Sequence, residues 1–271
     1  MAPSDDNLPA RNAVPETIIE LRGVYKRFGP LEVLRGIDLE LRKGRTTVII
    51  GESGAGKSVI LKHIVGLLRP DSGAVYFHGE RIDRAGEHRL AELCTQFGVL
   101  FQMGALFDSL TVAQNIAFPV VEHTHASPRE VEEIVARKLR MVGLDGVQHK
   151  RPAELSGGQR KRVALARAIA RDPEVILYDE PTTGLDPVRA DGINELIRKL
   201  QRELVVTSVV VTHDMTSAFK VADRIVMLYQ GQFIFDGTVG QIKASDDPRV
   251  REFVEGRASE EIVRSLADFE V

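Results

Sequence analysis

The segment Gly51-Glu52-Ser53-Gly54-Ala55-Gly56-Lys57-Ser58 constrains this chain more than any other feature. It follows the β-branched run Thr46 to Ile50 directly and precedes Val59 to Leu68, which reads as a helix stopped by Pro70 and the Asp71-Ser72-Gly73 turn. A strand, a glycine loop and a helix in that order make a phosphate cradle. The glycines let backbone N–H groups turn inward, the helix N-terminus adds partial positive charge, Lys57 reaches β- and γ-phosphates, and the Ser58 hydroxyl suits Mg²⁺.

The rest of the chain supplies the sheet that such a unit needs. Ile18 to Leu21, Ile37 to Leu41, Val75 to Phe77 and Phe97 to Phe101 read as strands. From Thr111 to Ala170 the pattern turns helical, with Val131, Ile134, Val135, Leu139 and Val142 recurring near the 3.6-residue period. The alternation then resumes: strand Val175 to Tyr178, helix Pro187 to Glu203, strand Ser208 to Thr212, a short helix from Thr216, and strands Ile225 to Tyr229 and Phe233 to Phe235. The expected fold is α/β, with a helical lobe inserted in the core.

Composition narrows the partners. With 36 Lys+Arg against 39 Asp+Glu the net charge is −3, which gives no global attraction to nucleic acid. Lys150, Arg151, Arg160, Lys161, Arg162, Arg167 and Arg171 form a basic cluster, but without interleaved aromatics it reads as a solvated helix face near bound phosphates. Glu122-His123-Thr124-His125 reads as a solvated loop rather than a metal site. The single cysteine, Cys94, fits a reducing compartment. Residues 1–16, rich in proline and lacking an apolar core, read as a flexible tail, and no run approaches the length of a membrane span.

Two further segments carry chemistry. The strand Val175 to Tyr178 ends in Asp179-Glu180, where α/β ligand sites lie, so Asp179 is the candidate Mg²⁺ ligand and Glu180 the candidate general base. Leu155-Ser156-Gly157-Gly158-Gln159 opens a strongly helical run, with Ser156 as N-cap and two glycines leaving the helix end bare enough for a phosphate. Together with Gly184-Leu185-Asp186 and Thr212-His213-Asp214, these motifs stand in an order that resembles the nucleotide-binding subunits of ABC transporters, over roughly Ile18 to Gly237.

That resemblance implies a P-loop NTPase core of ABC type spanning 17–247, with an N-terminal antiparallel β subdomain and an α-helical subdomain at about 104–170, then a short helical extension, 248–271. It implies ATP and Mg²⁺ as ligands. ATP would meet Phe28 on its adenine, the loop from Gly51 through Lys57 and Ser58 to Val59, and the Ser156, Gly157, Gly158 and Gln159 helix end of a second subunit beside Asp186. Catalysis would rest on Glu180, His213 at the γ-phosphate and Gln102, with Ser58, Gln102 and Asp179 around the metal.

Lys57-Ser58-Val59-Ile60-Leu61-Lys62-His63, Phe101-Gln102-Met103-Gly104-Ala105-Leu106-Phe107 and Asp246-Asp247-Pro248-Arg249-Val250 resemble the Mla/Mce-type lipid transporter ATPases more closely. The implied assembly is a homodimer at the cytoplasmic face of the inner membrane, coupled to a multi-span MlaE-like permease and an Mce-domain lipid-binding protein. The end of the chain departs from that group's longer tail, so a STAS-domain partner is not implied. Met103 to Phe107 is either a packed helix corner or an apolar groove for a cytoplasmic permease helix. Two other classes compete. A soluble ABC ATPase of iron–sulfur assembly would share the motifs, whereas a P-loop kinase would lack the Ser156 helix motif.

Overall fold

The computed structural model describes residues 16–257. The expected tail and the Ala258 to Val271 helix therefore fall largely or wholly outside the described residues. In chain order the elements begin with strands β1 (Thr17–Phe28), β2 (Leu31–Arg42) and β3 (Thr46–Ile50), then α1 (Lys57–Ile64), β4 (Ser72–Phe77), β5 (Glu80–Arg81), α2 (Glu87–Cys94) and β6 (Phe97–Leu100). Three helices follow, α3 (Val112–His123), α4 (Pro128–Met141) and α5 (Gly157–Ala168), and then β7 (Val175–Asp179), α6 (Pro187–Leu204), β8 (Thr207–Thr212) and α7 (Met215–Val221). The chain closes with β9 (Arg224–Tyr229), β10 (Gln232–Gly237), α8 (Val239–Lys243) and α9 (Pro248–Glu255).

Two sheets organise these elements. The first is antiparallel, in the order β2-β1-β4-β5. The second runs β10-β9-β3-β8-β7-β6 and is parallel except for β10. Side chains alternate across a strand, so each buried strand feeds two cores. Val48, Ile50, Ile176, Tyr178, Val210, Ile225 and Met227 pack with the helices, in one cluster with Ile116, Leu139 and Leu165. Ile49, Leu177, Val209, Val211, Val226 and Leu228 pack on the other face with α1 and the antiparallel sheet, beside Leu21, Ile60 and Val75. The continuous apolar runs of the sequence are thus strands buried on both faces.

The largest differences from expectation are at the first helix, the first two strands and one added helix. The helix after the glycine loop starts at Lys57 and ends at Ile64, not Leu68, because Gly66 turns the chain at φ 78°. The first two strands are longer than expected, since their distal halves form an exposed charged hairpin held by antiparallel pairing from Tyr25↔Arg35 to Phe28↔Leu31. Helix α2 was not expected; only Leu93 of it is buried, so it lacks the periodic apolar stripe that marks a helix.

The parallel register aligns the sheet's carboxyl ends. Ile50 pairs with Thr212, Val211 with Asp179, and Tyr178 with Leu100. The residues that follow these four ends are Gly51, His213, Glu180 and Phe101-Gln102.

Candidate active site

The glycine loop takes its shape from positions that exclude a side chain. Gly51 lies at φ 152°, and a Cβ there would approach the Leu228 carbonyl oxygen to 2.4 Å; Gly56 lies at φ 105°, with Val33 Cγ1 2.8 Å from the same hypothetical atom. Lys57, buried at the start of α1, folds back over the loop. Its Nζ donates to the carbonyls of Gly51 at 2.8 Å and Glu52 at 2.9 Å and lies 3.7 Å from Glu180 Oε1. Burial lowers the Lys57 pKa, against the pull of Glu180 and Asp179.

Next to the lysine, the Ser58 hydroxyl donates to Asp179 Oδ1 at 2.9 Å. Burial raises the Asp179 pKa, and the Ser58 hydrogen bond opposes the rise. These are hard oxygen donors, one a carboxylate, from the end of β7 and the start of α1, and that set fits Mg²⁺ bound together with phosphate oxygens.

Glu180 is buried and adopts φ 49°, unusual for a residue with a side chain and costing about 1–3 kcal/mol. Its backbone is held on both sides: its N–H donates to the Val211 carbonyl at 3.0 Å, and its own carbonyl accepts from Thr183 N at 3.3 Å. The carboxylate meets His213 Nδ1 at 3.0 Å and accepts from the hydroxyls of Thr183 at 3.2 Å and Thr212 at 3.4 Å. The loop between β7 and α6 therefore aims one buried carboxylate at the imidazole and at Lys57.

One cavity of about 440 Å³ collects most of the expected residues: Phe28, Ser53, Gly54, Gly56, Lys57, Ser58, Val59, Gln102, Glu180 and His213. Phe28 stands at its edge, 46% exposed, with the Lys26 ammonium 5.7 Å from its ring. Gly51, Glu52 and Ala55 complete the loop without lining the cavity, and Asp179 joins through Ser58.

Ser156, Gly157, Gly158, Gln159 and Asp186 do not line this cavity. Ser156 and Gln159 instead cap α5 reciprocally, Ser156 N to Gln159 Oε1 at 2.9 Å and Gln159 N to Ser156 Oγ at 3.3 Å. Asp186 caps α6, and that helix end lies beside the glycines, with Leu185 3.5 Å from a Cβ built at Gly157 and Arg189 3.6 Å from one at Gly158.

The expectation of a solvated basic face fails most plainly at Lys161 and Arg167. Lys161 is buried, 7% exposed, and its Nζ donates to the carbonyls of Gln102 and of Glu180, the latter at 3.3 Å. Burial lowers its pKa. The signal was in the spacing, since Lys161 stands three residues after Gly158 and four before Leu165 on the buried stripe of α5. Arg167 spans to the carbonyls of Ala105 and Gly104 at 2.8 and 3.1 Å and lies over the Phe107 ring.

Beyond Gln102 the chain enters a wide groove of about 700 Å³ whose wall includes Phe101, Ala105, Phe107 and Phe118. Phe107 is 42% exposed and packs on Phe118, ring centroids 4.9 Å apart. The fully buried Asn115 fixes its backbone, accepting from Phe107 N at 2.8 Å and donating to Phe107 O at 3.1 Å. Phe107 is therefore a groove wall more than a core residue. No helix among the described residues is long and apolar enough to cross a membrane.

Comparison with known proteins gives the family. The ABC transporter family model matches residues 34–183. The intermembrane phospholipid transport system ATP-binding protein MlaF of Haemophilus influenzae is 40% identical over 243 residues, 90% of this chain and 92% of that protein. The probable ribonucleotide transport ATP-binding protein mkl of Mycobacterium leprae is 43% identical over 88% of this chain and 69% of its own length. Among solved structures, the dimeric post-hydrolysis state of the ATP-binding cassette MJ0796 bound to ADP and Pi superposes with a TM-score of 0.76, at 32% identity, over 82% of this chain and 99% of that one. The cassette cbiO1 from Clostridium perfringens gives a TM-score of 0.78 at 27% identity, over 93% of this chain and 99% of its own. The chain belongs to the ABC transporter family, as an ATP-binding subunit that hydrolyses ATP.

Proposed function

We propose that this subunit powers a phospholipid or other lipid transporter of Mce type, as a homodimer seated peripherally on a multi-span permease at the cytoplasmic face of the inner membrane. The observation that carries the catalytic half of this reading is the alignment of four parallel strand ends, which brings Lys57, Ser58, Gln102, Glu180 and His213 to one cavity. Similarity to MlaF supports the lipid half.

The chemistry follows from the geometry. The loop from Gly51 to Val59 cradles the phosphates of ATP, Lys57 leaves its two carbonyl partners for the β- and γ-oxygens, and Phe28 receives the adenine ring. Ser58, Asp179 and Gln102 would hold Mg²⁺, which would supply charge neutralisation for the phosphates when bound. Glu180 takes a proton from water as the water oxygen bonds to the γ-phosphorus; the bond to the ADP oxygen breaks, and ADP and phosphate result. His213, whose Nδ1 meets the Glu180 carboxylate in the nucleotide-free subunit, turns its one N–H to the γ-phosphate when ATP is bound and leaves the carboxylate free for the water.

Because Ser156, Gly157, Gly158 and Asp186 lie away from the cavity of their own chain, a second subunit supplies them head to tail over the ATP. Dimerisation is then conditional on the γ-phosphate, and hydrolysis releases it. Gln102 stands at the junction of the cavity and the Phe107 groove, so a cytoplasmic permease helix in that groove feels the nucleotide state through one short loop.

Phe107→Ala tests the coupling. A half-exposed wall residue predicts a small change in melting temperature of the purified subunit and loss of the membrane complex on solubilisation. Unchanged complex recovery and unchanged ATP-driven transfer of labelled phospholipid between vesicles would exclude the groove as the coupling site.

A further inference from the structure

The groove beside Gln102 is not only apolar. Arg167 and Arg171 stand in its wall with His123, and among the described residues no carboxylate lines it. Arg167 spends its terminal nitrogens on the carbonyls of Gly104 and Ala105. Arg171 differs: its Nε is buried without a hydrogen-bond partner, and its guanidinium has no hydrogen bond or ion pair with any other described residue.

The acids that adjoin it in the chain are committed elsewhere. Asp172 pairs with Lys138 and Arg137, and Glu174 with His78 and Lys43. A half-buried guanidinium loses hydration without gaining an acceptor, which is unfavourable. Its planar fork suits a carboxylate better than any other side chain. Phe107 and Phe118 stand in the same wall, so the missing group belongs to something that is apolar on one face and acidic at one point.

We propose that the permease segment seated in this groove is an amphipathic helix that lays apolar side chains on Phe107 and Phe118 and delivers one Asp or Glu carboxylate to Arg171. This rests on the reading of the groove as the permease site. The carboxylate becomes a buried interfacial pair, which governs residence time and selects the cognate permease against helices carrying a neutral or basic residue at that point.

The test uses the full chain co-expressed with its permease, with the complex recovered from solubilised membranes. Arg171→Glu is expected to lower recovery by about 10-fold or more, as reversal of a desolvated interfacial charge does. Arg171→Lys should retain part of it, and the purified Arg171→Glu subunit should keep its melting temperature and basal ATPase rate. If Arg171→Glu does not fold, Arg171→Gln removes the charge at similar size and is read in the same way. Changing each Asp or Glu of the permease's cytoplasmic helices to Arg, against Arg171→Glu, should restore recovery at one position. Restoration at none overturns the pairing. Loss of the complex in Phe107→Ala but full recovery in Arg171→Glu overturns the carboxylate while leaving the groove as the permease site; full recovery in both overturns the two together.

Discussion

Lys161→Met asks whether one buried ammonium holds the Gln102 and Glu180 segments together. Methionine matches the length of the lysine stem and removes only the charge and its donors. The Gln102 and Glu180 carbonyls would each lose a donor, but the Glu180 carbonyl keeps the Thr183 N–H, so only the Gln102 carbonyl is left without a protein partner. An orphaned acceptor costs about 1–3 kcal/mol, about 2 kcal/mol at mid-range. Relief from burying an ammonium, the same effect that lowers the Lys161 pKa, offsets part of this and leaves about 1 kcal/mol net. At about 2–4 °C per kcal/mol for a domain of this size, the melting temperature falls by about 2–4 °C. Activity falls separately. Glu180 sits at φ 49° because its backbone is pinned, and loosening that pin while freeing Gln102 is expected to lower kcat roughly 10-fold or more with little change in ATP affinity. Calorimetric melting and steady-state ATPase on the purified variant measure both. A lower melting temperature with unchanged kcat would reduce Lys161 to a strut; no change in either would refute the reasoning.

Two further outcomes follow from the cavity. Lys57→Ala should weaken ATP binding by about 10²-fold, the loss of a charge-assisted contact of about 3 kcal/mol to the phosphates, as read by titration calorimetry; undiminished affinity would move the phosphate site elsewhere. Asp179→Asn should lose Mg²⁺-dependent turnover yet stabilise the nucleotide-free subunit. Burial raises the Asp179 pKa, so its contribution to stability is fully present below the unfolded value and is lost as pH rises from about 4 through the folded value. Asparagine keeps an Oδ1 acceptor for Ser58 and does not ionise. Its melting temperature should exceed that of the parent by about 2 °C at pH 7 and match it more closely at pH 4; a gain confined to acid would contradict the sign.

Much of the site was legible because its parts are local in sequence. The phosphate loop follows its strand directly, Asp179-Glu180 ends another, and His213 ends a third, so an apolar run plus the next residue locates each. The register that brings these ends together is a property of the sheet, and sequence pattern gave only its likeness to a family. A lysine in a basic run reads as exposed, although the place of Lys161 on the α5 stripe points inward. Asn115 reaches back to Phe107, and Arg167 reaches Gly104 and Ala105 far along the chain, and no spacing rule anticipates either contact. The Phe107 segment stayed ambiguous for a related reason: an apolar run looks the same in a core and in a groove, and only its 42% exposure separates them.

The central claim is that ATP is held between the loop of one subunit and the Ser156 helix end of another, with Glu180 as the base that ends the embrace. Glu180→Gln keeps the shape of the side chain, removes the base and leaves the phosphate loop untouched. Light scattering of this variant with and without ATP tests the claim most directly. ATP should convert it to a species of twice the chain mass that persists, while hydrolysis falls by roughly 10²-fold or more. A variant that binds ATP but stays at the mass of one chain, or that turns over ATP at the parent rate, would contradict the account.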